Sequence, residues 1–399
     1  MIPKRVLLVD DEPTELEGLR SLLDPKGWEI VCARDGRAAL DELAAAPVDV
    51  VVSNLVLPGL DGVELLRSAK RMRPAAARIG LTAATTKEAM VGALSVAHQV
   101  LAKPCEPEAL KEVIDRTCSL QSLANDQAVR DVVGKVGALP SIPRTYWELT
   151  AALARPSIGL GALGEIVARD PPMSARVLQI VNSAYFGLER RITSIREAVT
   201  FLGVDALKGL ALSSHVFSSA NAPTPVAAAL ERLQRSSMAV ARLAKGFVTD
   251  PDRSEETFSA AIVHDVGKIV LTMSMSETYR AVTAEVARSR RPAHVVEREM
   301  LGVTHPAVGA YLLGVWGLPI PIVEAVAYHH EPSRAPEEVQ EIVAAVHVAD
   351  ALVDAVMDGP GSDAELDLPF LASIGWTERL PRFRALAAVE LKWLRAMGG

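Results

Sequence analysis

The sequence has few aromatic residues, few cysteines and no long apolar run, and each scarcity excludes a class of protein. Aromatic residues make up 4% of the chain although 49% is hydrophobic, so Ala, Val and Leu must fill the core, which favours closely packed helices. The three cysteines lack metal-type spacing and indicate free thiols in a reducing cytosol. No apolar stretch reaches the length of a membrane span, and the N-terminus has no signal-peptide pattern. We therefore expect a cytoplasmic protein that does not enter the membrane.

The charge balance is weakly acidic, which excludes a dominant nucleic-acid surface. The chain has 42 basic and 49 acidic residues, a formal net charge of −7. A protein whose main ligand is a nucleic acid usually shows a basic excess, and no recognisable helix-turn-helix follows the first domain. We therefore expect no DNA partner. The length of 399 residues is sufficient for two or three domains.

Residues 1–118 alternate short apolar runs with amphipathic segments. This alternation predicts an α/β domain with a doubly wound, five-stranded parallel sheet that is covered by helices on both faces. The predicted strands are Val6–Val9, Glu29–Ala33, Val48–Ser53, Arg78–Leu81 and Gln99–Ala102. The predicted helices are Pro13–Leu23, Gly36–Ala46, Val63–Met72 and Lys87–Ser95.

The remainder of the chain has a helical pattern. Residues 119–136 are predicted to form a linker helix, and the apolar stripe that leads into it would pair with a second chain. The segment Leu139–Pro143 contains two prolines and marks a domain boundary. Residues 137–399 show little strand-like alternation, so we expect an all-α domain there.

Polar residues follow four of the predicted strands. Asp10 and Asp11 come after the first strand, Asn54 after the third, Thr82 after the fourth and Lys103 after the fifth. The carboxyl ends of parallel strands meet at one edge of a doubly wound sheet. Carboxylates, a hydroxyl and an ammonium at that edge predict a site for a divalent cation and a phosphate.

This pattern resembles the flavodoxin-like receiver domain of bacterial response regulators. The resemblance implies that Asp10 and Asp11 hold Mg²⁺, that Thr82 and Lys103 contact a phosphoryl group, and that a sensor histidine kinase or another signalling protein is a partner. It also implies an aspartate phosphoacceptor at the position of Asn54. An amide has no anionic oxygen to attack phosphorus, so we expect no phosphorylation there and weakened Mg²⁺ binding at Asp10, Asp11 and Asn54. A naturally degenerate receiver and a laboratory Asp-to-Asn substitution both fit the sequence.

A second set of potential ligands lies in the helical region. Adjacent His and Asp on an apolar helix are costly to bury unless a partner or a metal satisfies them. Imidazole and carboxylate ligands of this kind suit Fe, Mn, Zn or Ni. The candidate metal ligands are His264, Asp265, His305, His329, His330 and Asp350.

These residues resemble the HD superfamily of metal-dependent phosphohydrolases. Lys268, one helical turn after His264, would then contact a phosphate. Two departures weaken the resemblance. Ser236 stands where the family has its first metal-binding histidine, and a hydroxyl is a poor substitute for imidazole. The Gly-Tyr-Pro signature of cyclic-di-GMP phosphodiesterases is also missing after His330.

The segment 166–203 resembles the signature of the HDOD domain, an HD-related output module, with a signature core over about residues 137–340. That family is mostly regulatory and non-enzymatic. We interpret Asn182 and Ser183 as structural, and the four arginines of this region as solvated charges on helix faces. Those arginines are Arg169, Arg176, Arg190 and Arg191.

Three functions therefore stay open. The first is a two-component-type regulator whose receiver controls a non-catalytic HDOD module that binds partner proteins or a signalling ligand; we favour it, with a homodimer formed through the receiver and the linker helix. The second is a metal-dependent phosphohydrolase or phosphodiesterase that acts on a cyclic nucleotide and uses a divalent transition metal. The third is an effector that binds a cyclic dinucleotide without cleaving it.

Overall fold

The computed structural model describes most of the 399 residues. The described residues are 4–23, 28–83, 93–94, 96–105, 107–123, 127–135, 143–153, 155, 158–183, 186, 188, 190–212, 224–357 and 366–392. The predicted helix Lys87–Ser95 and the predicted break at Leu139–Pro143 fall largely outside these residues.

The N-terminal domain contains the predicted parallel sheet. Its five strands have the order β2-β1-β3-β4-β5, so β1 and β3 are central and β5 lies at an edge. Helices α2 and α3 pack together, whereas α1 packs against α4, and the two pairs cover the sheet. The strands are β1 Arg5–Val9, β2 Glu29–Ala33, β3 Val50–Asn54, β4 Ala77–Thr82 and β5 Gln99–Ala102. The helices are α1 Pro13–Leu23, α2 Gly36–Ala45, α3 Gly62–Met72 and α4 Pro107–Leu123. The doubly wound α/β prediction is confirmed.

The central strands are buried on both sides, as their composition requires. Val50, Val51 and Val52 of β3 are inaccessible to solvent, and so are Leu7 and Leu8 of β1. β-branched and aliphatic side chains fill a pleated surface that helices cover from both faces. The strand ends are thereby held in fixed register at one edge of the sheet.

The described part of the C-terminal region is helical, as predicted. None of its helices is long and apolar enough to cross a membrane. The linker segment contributes α5, and short helices of the 3₁₀ type cover Pro332–Arg334, Glu337–Val339 and Thr377–Arg379. The α-helices are α5 Gln127–Lys135, α6 Pro143–Leu153, α7 Leu160–Val167, α8 Pro171–Val181, α9 Ile195–Leu212, α10 Thr224–Lys245, α11 Pro251–Val263, α12 Val266–Ser274, α13 Ser276–Ser289, α14 Ala293–Leu301, α15 His305–Val315, α16 Ile320–Tyr328, α17 Gln340–Met357, α18 Leu368–Ser373 and α19 Leu380–Glu390.

Helix α8 begins where the sequence predicts. The side chain of Asp170 accepts a hydrogen bond from the backbone N–H of Met173 at 2.9 Å, and Pro171 and Pro172 occupy the first turn. Asp at the cap and Pro in the first turn are favoured because the first N–H groups of a helix have no partner inside it. This cap fixes the start of the helix that faces the N-terminal domain.

The described part of the predicted apolar stripe is buried within this chain. Leu110, Val113 and Ile114 of α4 and Val129 and Val133 of α5 are each less than 5% exposed. Helix α15 packs against both α4 and α5. The described part of the stripe is thus buried inside this chain, and pairing of the stripe with a second chain stays a prediction.

Candidate functional site

The first candidate site is the pocket at the carboxyl ends of the strands. Here the structure brings together Asp10, Asp11, Asn54 and Lys103. The Lys103 ammonium lies 2.5 Å from Asp10 Oδ2 and 2.5 Å from Glu15 Oε2. Burial opposes the charge of Lys103, but hydrogen bonds and attraction from both carboxylates raise its pKa. The lysine is thus a fixed cation beside the acids, as the receiver resemblance implies.

Asn54 takes part in the same hydrogen-bond network. Its Nδ2 donates to Asp11 Oδ1 at 3.1 Å, and its Oδ1 accepts from the backbone N–H of Val56 at 3.3 Å. An aspartate at this position would place a second anion against Asp11, where the amide supplies a donor. The neutral carboxamide of Asn54 therefore provides Asp11 with a hydrogen-bond donor and adds no negative charge to the pocket.

Thr82 closes the wall of this pocket from β4. It is the last residue of that strand and is 4% exposed, and its carbonyl oxygen accepts from the Lys103 N–H at 2.7 Å. The donor set fits Mg²⁺ in type, because carboxylate and amide oxygens are its usual protein ligands. Asp11, Asp10 and the carbonyl of Asn54 would hold the ion with one negative charge fewer than an aspartate at position 54 would give.

The second candidate site is a buried group, here called the histidine–aspartate cluster. His264 and Asp265 lie in the turn between α11 and α12, and Asp350 lies on α17. His305 begins α15, and His329 and His330 directly follow α16. The cluster consists of His264, Asp265, His305, His329, His330 and Asp350, and all but the half-buried His330 are less than 4% exposed. The structure thus brings together all six predicted ligands.

The histidine rings are oriented by their Nδ1 atoms. His264 Nδ1 lies 2.7 Å from the carbonyl oxygen of Ala261, and His329 Nδ1 lies 2.8 Å from that of Val326. His305 Nδ1 lies 2.7 Å from Glu297 Oε2. An N–H at Nδ1 that donates to a carbonyl or a carboxylate leaves Nε2 as the ligand atom, the usual arrangement of metal-binding histidines. All three Nε2 atoms therefore face the interior of the cluster.

Two atoms at the centre have no hydrogen-bond partner among the described residues. They are Asp265 Oδ1 and His329 Nε2, which lie 3.9 Å apart. His305 Nε2 is 3.2 Å from Asp265 Oδ1 but outside hydrogen-bonding geometry. A buried acceptor without a partner is costly. The donor set fits a divalent transition metal, which would be held by His264, Asp265 and His329 or by His305, His329 and His330.

The surroundings of the cluster shift the pKa values of two of its histidines, His264 and His329, in opposite directions. Burial disfavours the charged form of His264, but Asp265 and Asp350 outweigh it and raise its pKa to about 9. Burial lowers the pKa of His329 to about 3, with repulsion from His264 and His305 in the same direction. The two carboxylates therefore favour positive charge on His264, whereas His329 favours the neutral form. A bound metal would supply the same charge and release the proton of His264.

Three residues that support the cluster were not found from the sequence. Glu297 of α14 is fully buried; it accepts from the backbone N–H of His305 at 2.7 Å and from the Tyr279 hydroxyl at 3.0 Å. His294 stacks on His330, with ring centroids 4.3 Å apart. Among these residues Glu297 alone carried a signal, an acid placed between apolar residues of an amphipathic helix, and that signal is too common to identify a site.

Lys268 is engaged inside the cluster. Its ammonium donates to Asp265 Oδ2 at 2.6 Å, one turn back along the chain. Attraction to Asp265 and Asp350 raises its pKa against the effect of burial, so it is a permanent cation there. Its predicted contact to a phosphate stays a prediction, and such a contact would require Lys268 to bridge Asp265 and the ligand.

A cleft of about 300 Å³ opens beside the cluster. His330 and His294 line its inner end, and Arg298 and Arg334 line its rim together with Glu331. Both arginines bond to Glu331, at 2.9 and 2.5 Å. The cleft connects the half-buried His330 to solvent, so a small anionic molecule could approach the histidines from this side.

The signature region has two kinds of contact. Asn182 is structural, as predicted: its side chain donates to the carbonyl of Ile192 and accepts from the N–H of Ile192, both at 2.8 Å. The interpretation of Arg176 as a solvated charge is wrong, because it is 6% exposed and lies over the ring of Trp316 at 5.7 Å. The charge is buried because α8 faces the N-terminal domain. Ser236, which the resemblance places at the position of a metal-binding histidine, is buried on α10.

Comparisons with known proteins agree with this architecture. The family model described as the response regulator receiver domain matches residues 6–115, and that of the HDOD domain matches residues 139–332. An uncharacterized protein from Treponema pallidum (strain Nichols) is 26% identical over 250 residues, 60% of this chain and 47% of that protein. The transcriptional regulatory protein TrcR of Mycobacterium tuberculosis is 32% identical over 168 residues, 38% of this chain and 65% of that protein. The chain thus spans about half the length of the Treponema relative.

One solved structure has a similar fold over most of the chain. The crystal structure of a virulence factor from Campylobacter jejuni aligns with a TM-score of 0.51 at 21% identity, and the alignment covers 65% of this chain and 97% of that one. The fold and the two matched domains define a signalling protein of the two-component type. The chain is a response regulator in which a receiver domain is followed by an HDOD domain.

Proposed function

We propose that this response regulator controls a non-catalytic HDOD module through the position of its receiver, without phosphorylation at residue 54. The observation that carries the proposal is the hydrogen bond from Asn54 Nδ2 to Asp11 Oδ1. The amide occupies the place of the attacking carboxylate and also satisfies the neighbouring acid. Ser236 in place of the first metal-binding histidine supports the non-catalytic output.

Labelling with acetyl phosphate tests the receiver half of this proposal. The chain should take up no phosphate in the presence of Mg²⁺. In contrast, Asn54→Asp should be labelled, and hydroxylamine should remove the label, as expected for an acyl phosphate. Asn54→Asp combined with Asp11→Ala is the matched control, because it restores the acceptor but removes a predicted Mg²⁺ ligand. Labelling of the unchanged chain at Asn54, or failure of Asn54→Asp to be labelled, would contradict the proposal.

The second candidate function is a metal-dependent phosphohydrolase. The unpartnered Asp265 Oδ1 and His329 Nε2 favour it, because they leave ligand atoms directed to one point. Metal analysis of the purified chain, with hydrolysis assays on cyclic dinucleotides, separates the two functions. A stoichiometric transition metal that is lost in His264→Ala but kept in Asp11→Ala, together with turnover, would replace the non-catalytic proposal. Binding of a cyclic dinucleotide without turnover would support the effector alternative.

The receiver domain implies interaction with a sensor kinase or other signalling proteins. We propose that homodimers, if they form through α4 and α5, require release of the receiver first, because α15 covers that face. Sedimentation of the chain with and without Ser183→Arg, which removes a hydrogen bond between the two domains, tests this order. A dimer that forms while the receiver stays docked would contradict it.

A further inference from the structure

The receiver rests on the HDOD domain along its edge strand β5. Gln179 Nε2 donates to the carbonyl oxygen of His98 at 2.9 Å, and Ser183 Oγ donates to that of Val100 at 2.7 Å. In the reverse direction, Gln99 Nε2 donates to the carbonyl oxygen of Val315 at 3.0 Å. Edge strands present polar backbone groups that must be covered or solvated. Here the HDOD signature residues and the end of α15 cover them.

Helix α15 connects this contact to the histidine–aspartate cluster. Its first residue is His305, whose Nε2 lies 3.2 Å from His330 Nε2, and its last residue is Val315, which accepts from Gln99. An α-helix rises about 1.5 Å per residue, so the two ends are roughly 15 Å apart. The Arg116 guanidinium of α4 adds a second receiver contact just past the helix, at the carbonyl of Leu318.

Helix α15 is also fixed against α12, the helix that follows His264 and Asp265. A Cβ atom at Gly267 would lie 2.0 Å from the carbonyl oxygen of His305 and 2.9 Å from the Gly309 nitrogen. The two backbones therefore touch directly, without side chains between them. Because packed interiors shift between discrete arrangements and do not deform continuously, a displacement of α15 at its Val315 end would be carried along the helix to His305 and its backbone contact with α12.

We propose that α15 couples receiver docking to metal affinity: the docked receiver holds His305 in register with Asp265, and its release weakens metal binding at the cluster. This proposal deepens the proposed control of the HDOD domain by the receiver and rests on it. Linkage makes the effect reciprocal, so metal binding stabilises the docked receiver by the same factor. The chemistry required is a divalent transition metal at the cluster and a polar edge of β5 that is bonded to Gln179, Ser183 and Val315.

Hydrogen exchange on the intact chain tests the reciprocal effect. Co²⁺ is the probe, since its visible absorption reports occupancy of a histidine site. Saturating Co²⁺ should slow amide exchange in residues 99–102 of β5 by about fivefold or more, the lower end of usual coupling factors. Exchange in β2, the opposite edge of the same sheet, should not change and serves as the internal control.

A substitution at the docking surface tests the forward effect. Ser183→Arg places a bulky cation where the hydroxyl is 2.7 Å from the Val100 carbonyl, so it should separate the domains, which X-ray scattering would show as a larger radius of gyration. The Co²⁺ dissociation constant should then rise about fivefold or more. Glu29→Ala, on β2, is the matched control and should leave both quantities unchanged.

The outcomes separate the coupling from the functions proposed above. Slower β5 exchange with Co²⁺ and weaker Co²⁺ binding in Ser183→Arg support the coupling. Co²⁺ binding that leaves β5 exchange unchanged overturns the coupling but leaves control by docking intact. Absence of Co²⁺ binding to the intact chain overturns both the coupling and the metal-dependent hydrolase. Phosphate labelling of Asn54 would contradict the proposed function alone.

Discussion

Replacement of Glu297 by glutamine tests whether the cluster depends on a buried negative charge. Glu297 is fully buried and bonds to the backbone and side chain of His305 and to Tyr279. Burial opposes its ionisation, but attraction to His305 and the hydrogen bonds from it lower its pKa from 4.5 to about 2. The charge therefore stabilises the native state by roughly 3 kcal/mol at neutral pH. Since an amide keeps some of the hydrogen bonds, we expect Glu297→Gln to lose about 2 to 3 kcal/mol.

The pH dependence has a definite sign. A carboxyl whose pKa is lower in the folded state contributes stability that is fully present above its unfolded pKa and is lost as the pH falls through its folded pKa. The stability that comes from ionisation of Glu297 itself should thus be fully present above about pH 5, while the loss of the attraction that raises the pKa of His305 changes the difference between wild type and Glu297→Gln at higher pH. The contribution of Glu297 itself should then shrink as the pH falls from 4.5 towards 2.

Urea denaturation at pH 7, 5 and 4 measures this difference. Glu299→Gln is the matched control: it lies two residues further on the same helix and pairs with Arg291 at the surface, so its effect should be within error of zero. Tyr279→Phe removes one hydrogen bond and should cost about 1 kcal/mol. A Glu297→Gln variant as stable as wild type at pH 7, or a difference that fails to shrink between pH 5 and pH 4, would refute the reasoning.

Two further predictions concern packing. Gly134→Ala should destabilise the contact of α5 with the receiver by about 2 kcal/mol or more in thermal melts, because its Cβ would lie 1.8 Å from the Pro74 carbonyl oxygen. Gly18→Ala is the control: the space around Gly18 is open, so this variant should gain about 0.5 to 1 kcal/mol of stability. Asn182→Ala should cost about 2 to 3 kcal/mol in urea, since it leaves both backbone groups of Ile192 without their partner. A neutral result for Gly134→Ala or Asn182→Ala would contradict the respective packing.

The sequence predicted the receiver fold because its signals are local. Each strand is a short apolar run, and the observed strands begin and end within about two residues of the predicted ones. Val48 was predicted to open β3, whereas the strand begins at Val50, after Asp49, whose carboxylate accepts from the backbone N–H of Arg5. The regular alternation of helix and strand then leaves one common topology for a domain of this length.

The six cluster residues could be predicted as a set, but their support could not. His264 and Asp265 are adjacent and conspicuous in an apolar segment, whereas Glu297 reaches His305 across a turn between two helices. The docking contacts were equally hidden, since Ser183 binds a backbone carbonyl 83 residues earlier in the chain. Contacts between residues so far apart in the chain depend on how the two folded domains pack together, and the hydrophobic periodicity of each domain does not predict that packing.

The contacts at β5 also bear on the exchange of domains between response regulators. Gln179 and Ser183 recognise carbonyl oxygens of His98 and Val100, which every receiver offers whatever its side chains. In contrast, Gln99 contributes a side chain of its own. A foreign receiver grafted onto this HDOD domain would thus be able to accept the hydrogen bonds from Gln179 and Ser183 through its backbone. The residue at position 99 would decide whether the third hydrogen bond, to the Val315 carbonyl, also forms.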